Sequence, residues 1–207
     1  MTRKTLAALA CLLLAPLAQA QQDFSKVEIK TTKLGENTYM MEGAGGNLGL
    51  SVGDDAVFLI LNGEDIRAIH VPRAHTDGDA IVHFVKSDVV HMGDTYFNGF
   101  YPFIDTSSGG TIDGVVAACD RALEIVGDRT KVIPGHGPLS NKAELKAYRD
   151  MLATVSARIR KMVADGRKLE EITASDATAD FDEKWGKGFI SAAKFREMVA
   201  MNIIRNR

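Results

Sequence analysis

Residues 65–94 read DIRAIHVPRAHTDGDAIVHFVKSDVVHMGD, and the fold is decided in this stretch. Asp65 to Val71 alternates as a half-buried strand does, and Ala80 to Val85 and Val89 to Met92 form a strand pair joined around Lys86-Ser87-Asp88. Two turns that follow strands carry metal-capable side chains, Ala74-His75-Thr76-Asp77-Gly78-Asp79 and His91-Met92-Gly93-Asp94. A third, Pro134-Gly135-His136-Gly137, ends the short strand Lys131 to Ile133. Sites in α/β proteins gather at strand ends, where loops vary while the sheet fixes position. Glycine beside each candidate lets backbone pass close to a bound ion. Two imidazoles and a carboxylate suit a borderline cation such as Zn²⁺, with iron and manganese also compatible. A lone histidine after a strand is more often structural than a ligand; the three segments together carry the metal reading.

Working outward, Val27 to Thr31 and Thr38 to Glu42 read as strands about the Gly35-Glu36-Asn37 turn. Asn47 to Val52 and Ala56 to Leu61 resemble two buried strands joined at Gly53-Asp54-Asp55, and Asn62-Gly63 marks another turn. Downstream, Tyr96 to Gly110 is rich in aromatics and glycine without a period, so it reads as a long functional loop that either lines a pocket or packs. Ile112 to Val126 has helical spacing. Asn141 with Glu144 caps the clearest helix, whose Leu145, Tyr148, Leu152, Val155 and Ile159 share a face. Ala192 to Ile204 is a second amphipathic helix. Strands first, then strands alternating with helices, predict an α/β protein with helices covering its sheets.

The composition is that of a globular protein, 45% hydrophobic and 25% charged, with a net charge of −2. That balance lacks the basic excess of nucleic-acid binders. Arg3 and Lys4, the apolar run Leu6 to Leu17 and Ala18-Gln19-Ala20 read as a secretory signal peptide over residues 1–20, cleaved before Gln21. The run is shorter than the roughly 20 residues of a spanning helix, so no stable membrane span is expected and the mature chain is periplasmic or secreted. Cleavage removes Cys11 and leaves Cys119 alone, a small buried residue on a helix with no disulfide partner.

The order and wording of the three motifs resemble the metallo-β-lactamase-fold hydrolases, over the chain from about Val27 to near Ala164. In that family an AHTxGD-like turn holds the first metal, the aspartate of a GD turn bridges two metals, and a PGHG histidine binds the second. The resemblance thus implies His75, Asp94 and His136 as metal ligands, Zn²⁺ as cofactor (one ion at most) and an αββα sandwich. Aspartate at the bridging position is similar to glyoxalase II-like dinuclear hydrolases, whereas antibiotic-degrading members carry cysteine or serine there.

The chain also departs from the family. Its H-x-H-x-D-H signature should follow Ala56–Leu61, yet the histidines are His70, His75, His83, His91 and His136, no two of them two residues apart. The domain, residues 21–207, therefore reads as internally deleted near residues 60–64, truncated in its first half. His70 and His83 read as structural strand residues, and His91 as structural or as supporting Asp94. The function implied is a small-molecule hydrolase in which metal-activated water attacks an ester, thioester or amide, with activity impaired by the lost motif. The alternative is a catalytically inactive remnant or binding module of the same fold. Sheet bared by a deletion is an association hazard that a homodimer would cover.

Overall fold

The computed structural model describes residues 28–36, 38–43, 46–51 and 65–206. The expected signal peptide, the Ala56–Leu61 strand with its flanking turns, and the deletion point lie outside the described residues.

The first strands form a three-stranded antiparallel sheet of β1 (Lys30–Lys33), β2 (Thr38–Gly43) and β3 (Gly46–Ser51), in that order. β1 lies later in the chain than the alternation around Val27 to Thr31 predicts. The reason is the turn: Leu34 and Gly35 both donate backbone N–H to the Thr38 carbonyl, so pairing runs from Lys33 opposite Tyr39 out to Lys30 opposite Glu42. The other sheet has the order β4 (Ile66–His70), β5 (Ala80–Phe84), β6 (Val89–His91) and β7 (Lys131–Ile133). β4, β5 and β6 pair antiparallel, and β6 pairs parallel with β7.

Period-2 alternation gives this second sheet two apolar faces. Phe84, Val89 and Ile133 meet Leu34 and Met40 in a small core between the sheets. Ile81, Val90 and Val132 point the other way, into the main core. Every described helix adds its buried apolar residues to that main core: α1 (Ile112–Ile125), α2 (Lys142–Ala164), α3 (Leu169–Thr173), α4 (Asp182–Trp185) and α5 (Ala192–Arg205). The described residues thus form three layers, sheet on sheet on helices. The Thr38 and Ser87 hydroxyls, 2.8 Å apart, and a bond from Lys131 Nζ to the Leu34 carbonyl tie the first hairpin to the second sheet.

α2 forms where its signals stand. The Asn141 side chain accepts from the Glu144 N–H at 3.0 Å, and Leu145, Tyr148, Leu152, Val155 and Ile159 are all fully buried. α1 is capped by Thr111, whose hydroxyl accepts from the Gly114 N–H at 3.0 Å. Cys119 is buried on α1 as a free thiol. The aromatic loop mostly packs, with Tyr96, Phe97 and Tyr101 buried. Among the described residues, no helix is long and apolar enough to cross a membrane.

Candidate metal centre

With β5 antiparallel to both neighbours, β4 and β6 run the same way, and β7 runs parallel to β6. The carboxyl ends of β4, β6 and β7 therefore share one sheet edge, and each is followed by one of the three candidate turns. β4 stands two strand spacings from β6, about 10 Å. Asp94 and His136 thus follow adjacent strands, and His75 follows the strand on the far side of β5.

The turns after β6 and β7 are bonded to each other beyond the strands. Met92 N–H donates to the Ile133 carbonyl at 2.9 Å, Gly135 N–H to Gly93 at 2.8 Å and Tyr96 at 3.0 Å, and Asn98 N–H to His136 at 2.9 Å. Asp94 sits in a single 3-10 turn, Gly93–Thr95, entered through Gly93 at φ +53°. The two backbones touch at Gly135, where an added Cβ would lie 2.2 Å from Asp94 Oδ1 and 2.6 Å from the Gly93 carbonyl. His136 Nε2 ends 3.4 Å from Asp94 Oδ1, with the side chains 28% and 42% exposed. Both donor groups are thus open to solvent.

The His136 ring is held by aromatics. Phe97 stacks on it at 4.7 Å between centroids, and Phe189, itself 62% exposed, meets it edge-on at 5.8 Å. The third side is the first sheet. Asn47 of β3 donates its side-chain N–H groups to the Pro134 carbonyl at 2.9 Å and the Gly137 carbonyl at 2.7 Å, and its backbone N–H to Gly135 at 2.7 Å. His91 joins this bracket to the Asp94 turn. Its Nδ1 accepts from the Gly93 N–H at 3.1 Å, so the ring proton lies on Nε2 and faces the Asn47 carbonyl at 3.2 Å. Neither Asn47 nor its bonds were legible from sequence.

Burial lowers the His91 pKa from its ordinary 6.5, against the opposing pull of the Asn47 carbonyl and the Asp94 charge. Below about 6.5 the unfolded chain takes up a proton that folded His91 refuses, so stability falls as pH drops through that window and is unaffected above it. Urea denaturation at about pH 7.5 and about pH 5.5 is expected to show a larger loss for the wild type than for His91→Gln. Equal losses would contradict a buried neutral His91.

His75 stands in a different setting. Its carbonyl accepts from the Asp105 N–H at 2.9 Å, its ring meets Phe103 edge-on at 6.0 Å, and its Nδ1 lies 3.9 Å from Asp79 Oδ1. Asp79 in turn accepts from the Thr76 N–H at 2.6 Å, so the AHTDGD turn closes on itself. His70 Nε2 pairs with the Asp77 carbonyl at 2.8 Å. Phe103 also lines a cavity of about 290 Å³ between its loop and α5, which includes neither Asp94 nor His136. Among the described residues, no three side chains of His, Cys, Asp and Glu gather into a metal-holding group. The structure therefore joins Asp94 to His136 and places His75 with Asp79 and Phe103.

No protein-family model matches the sequence, and no curated protein matches it either. The fold has counterparts among solved structures. DIM-1 metallo-beta-lactamase superposes with a TM-score of 0.50 at 14% identity, over 62% of this chain and 99% of that one. A metallo-beta-lactamase from Pontibacter korlensis gives 0.52 at 8% identity, over 61% and 99%. The inverting sec-alkylsulfatase Pisa1 from Pseudomonas sp. gives 0.51 at 19% identity, over 69% of this chain and 24% of that one. At such identities the likeness speaks for architecture alone. This chain has the mixed α/β metallo-β-lactamase fold.

Proposed function

We propose that the protein is an exported hydrolase of the metallo-β-lactamase fold, of the aspartate-bridged type, with a weakened cation site built on Asp94 and His136. The observation that carries this reading is the 3.4 Å approach of a solvent-open carboxylate and imidazole at the shared ends of β6 and β7. A pair held by so many backbone bonds on an open edge has a positioned geometry without a burial role.

The donor chemistry suits Zn²⁺, which takes imidazole nitrogen and carboxylate oxygen in tetrahedral sets of four. Asp94 and His136 fit as part of such a set. His75, across β5 with its own carboxylate partner, leaves the set incomplete, and weak binding of at most one ion is the consequence. A bound cation supplies an activated water and polarises the ester, thioester or amide carbonyl of a substrate. The chain itself does the positioning: Gly135 admits the Asp94 carboxylate against the β7 turn, and Phe97 fixes the His136 ring. Phe189 leaves one apolar wall beside that ring.

Metal analysis after dialysis against zinc is expected to find at most one equivalent, lost in the Asp94→Ala, His136→Ala double variant. Hydrolysis of an activated aryl ester is expected to be slow and zinc-dependent. Zinc no higher in the wild type than in the double variant would overturn the proposal.

A further inference from the structure

Asn47 donates to three carbonyls of the Pro134–Gly137 turn, to those of Pro134 and Gly137 through its side-chain N–H groups and to that of Gly135 through its backbone N–H. Its carbonyl then takes the His91 Nε2–H, and the other nitrogen of the same ring takes the Gly93 N–H. The path from the turn carrying His136 to the turn carrying Asp94 thus runs through one asparagine and one imidazole, both of whose ring nitrogens are occupied. A Cβ at Gly46, the residue before Asn47, would meet the Gly135 carbonyl at 3.0 Å and His136 Cε1 at 3.5 Å. The β3 backbone therefore lies directly on the turn it brackets.

We propose that Asn47 and His91 are positioning residues that set the approach of His136 to Asp94 from the first sheet. The inference rests on the Asp94–His136 reading for its metal arm only. Asn47 fixes the β7 turn, and His91, as the Nε2–H tautomer, carries that constraint across to Gly93. Neither residue touches the cation or the reacting atoms. Groups that support metal ligands in this way typically change affinity tenfold to a hundredfold when removed.

Asn98 supplies the comparison that separates positioning from plain structural loss. Its side chain donates one bond at 3.1 Å to the Pro138 carbonyl, one residue beyond the bracketed turn. Imidazole ¹H–¹⁵N correlation spectra of metal-free protein are to be recorded for the wild type, Asn47→Ala, His91→Ala, His91→Asn, His91→Gln and Asn98→Ala. The wild type is expected to show His91 neutral with its proton on Nε2. Asn47→Ala is expected to displace the His136 ring resonances, and Asn98→Ala to leave them in place. His91→Asn keeps an acceptor for the Gly93 N–H, and His91→Gln keeps a donor for the Asn47 carbonyl. Each is expected to shift His136 less than His91→Ala does.

Co²⁺ titration of the same set is expected to weaken about tenfold to a hundredfold for Asn47→Ala and less than threefold for Asn98→Ala. Unmoved His136 resonances in Asn47→Ala, or equal displacement in Asn98→Ala, overturn the positioning role. A wild type that takes up no Co²⁺ while its spectra behave as described overturns the metal reading and leaves the positioning role standing.

Discussion

Gly135→Ala is expected to lower stability by roughly 3 kcal/mol or more and to remove whatever cation binding the wild type has. The new methyl would stand 2.2 Å from Asp94 Oδ1 and 2.6 Å from the Gly93 carbonyl carbon and oxygen. A flexible side chain could swing away from such a contact, but Gly93 is backbone and is bonded to the Gly135 N–H at 2.8 Å. The β6 and β7 turns must therefore part, and the Asp94–His136 approach opens with them. For a domain of this size the loss corresponds to about 6–12 °C in Tm, measurable by calorimetry. Gly99→Ala is the matched comparison. Gly99 has φ +85° with nothing within 4 Å, so its substitution carries backbone strain of about 1 kcal/mol without a collision. A Gly135→Ala protein no less stable than Gly99→Ala would mean that the two turns are not in contact.

Phe195→Ala should destabilise the helical layer by about 3–5 kcal/mol, the usual range for deleting a buried aromatic ring. Phe195 is fully buried on α5 and stacks on Tyr101 with centroids 4.4 Å apart and 14° between planes. The Tyr101 hydroxyl donates to Asp182 Oδ1 at 2.7 Å, so the same contact holds α4. Urea unfolding should show the loss, with Phe195→Leu recovering most of it because the ring volume is largely refilled. A loss below about 1 kcal/mol for the alanine variant would show that α5 is not packed on this loop.

The two expected results bear on parts of the chain that differed in how far sequence exposed them. α2 was legible because cap, first-turn acid and apolar face all lie within one segment, and Asn141, Glu144 and Leu145 agree with one another. The second sheet was legible because β5 and β6 are apolar, β-branched runs joined by the short Lys86-Ser87-Asp88 turn. α3 and α4 were not, being five and four residues long, too short to show a period. Arg196 of α5 holds them from outside, donating to the Thr173 carbonyl of α3 at 2.9 Å and pairing with Asp182 of α4 at 4.0 Å, and no local pattern announces such contacts.

For the site, the three strand-end motifs were legible as motifs, and their mutual placement was not. That placement depends on β5 lying between β4 and β6, which puts His75 beyond one intervening strand while Asp94 and His136 follow neighbouring ones. Asn47 escaped notice for another reason. Its side-chain partners are 87 and 90 residues away, and as the first residue of the strand expected over Asn47 to Val52 it carries no local sign of them.

The proposed cation site is built on Asp94 and His136, with His75 outside it. Zinc titration calorimetry on the wild type and on His75→Ala, Asp94→Ala and His136→Ala tests this directly. The expected result is a single weak site in the wild type, preserved within a factor of about three in His75→Ala and lost in the other two variants. A wild type whose zinc binding is lost in His75→Ala and retained in His136→Ala would contradict the claim.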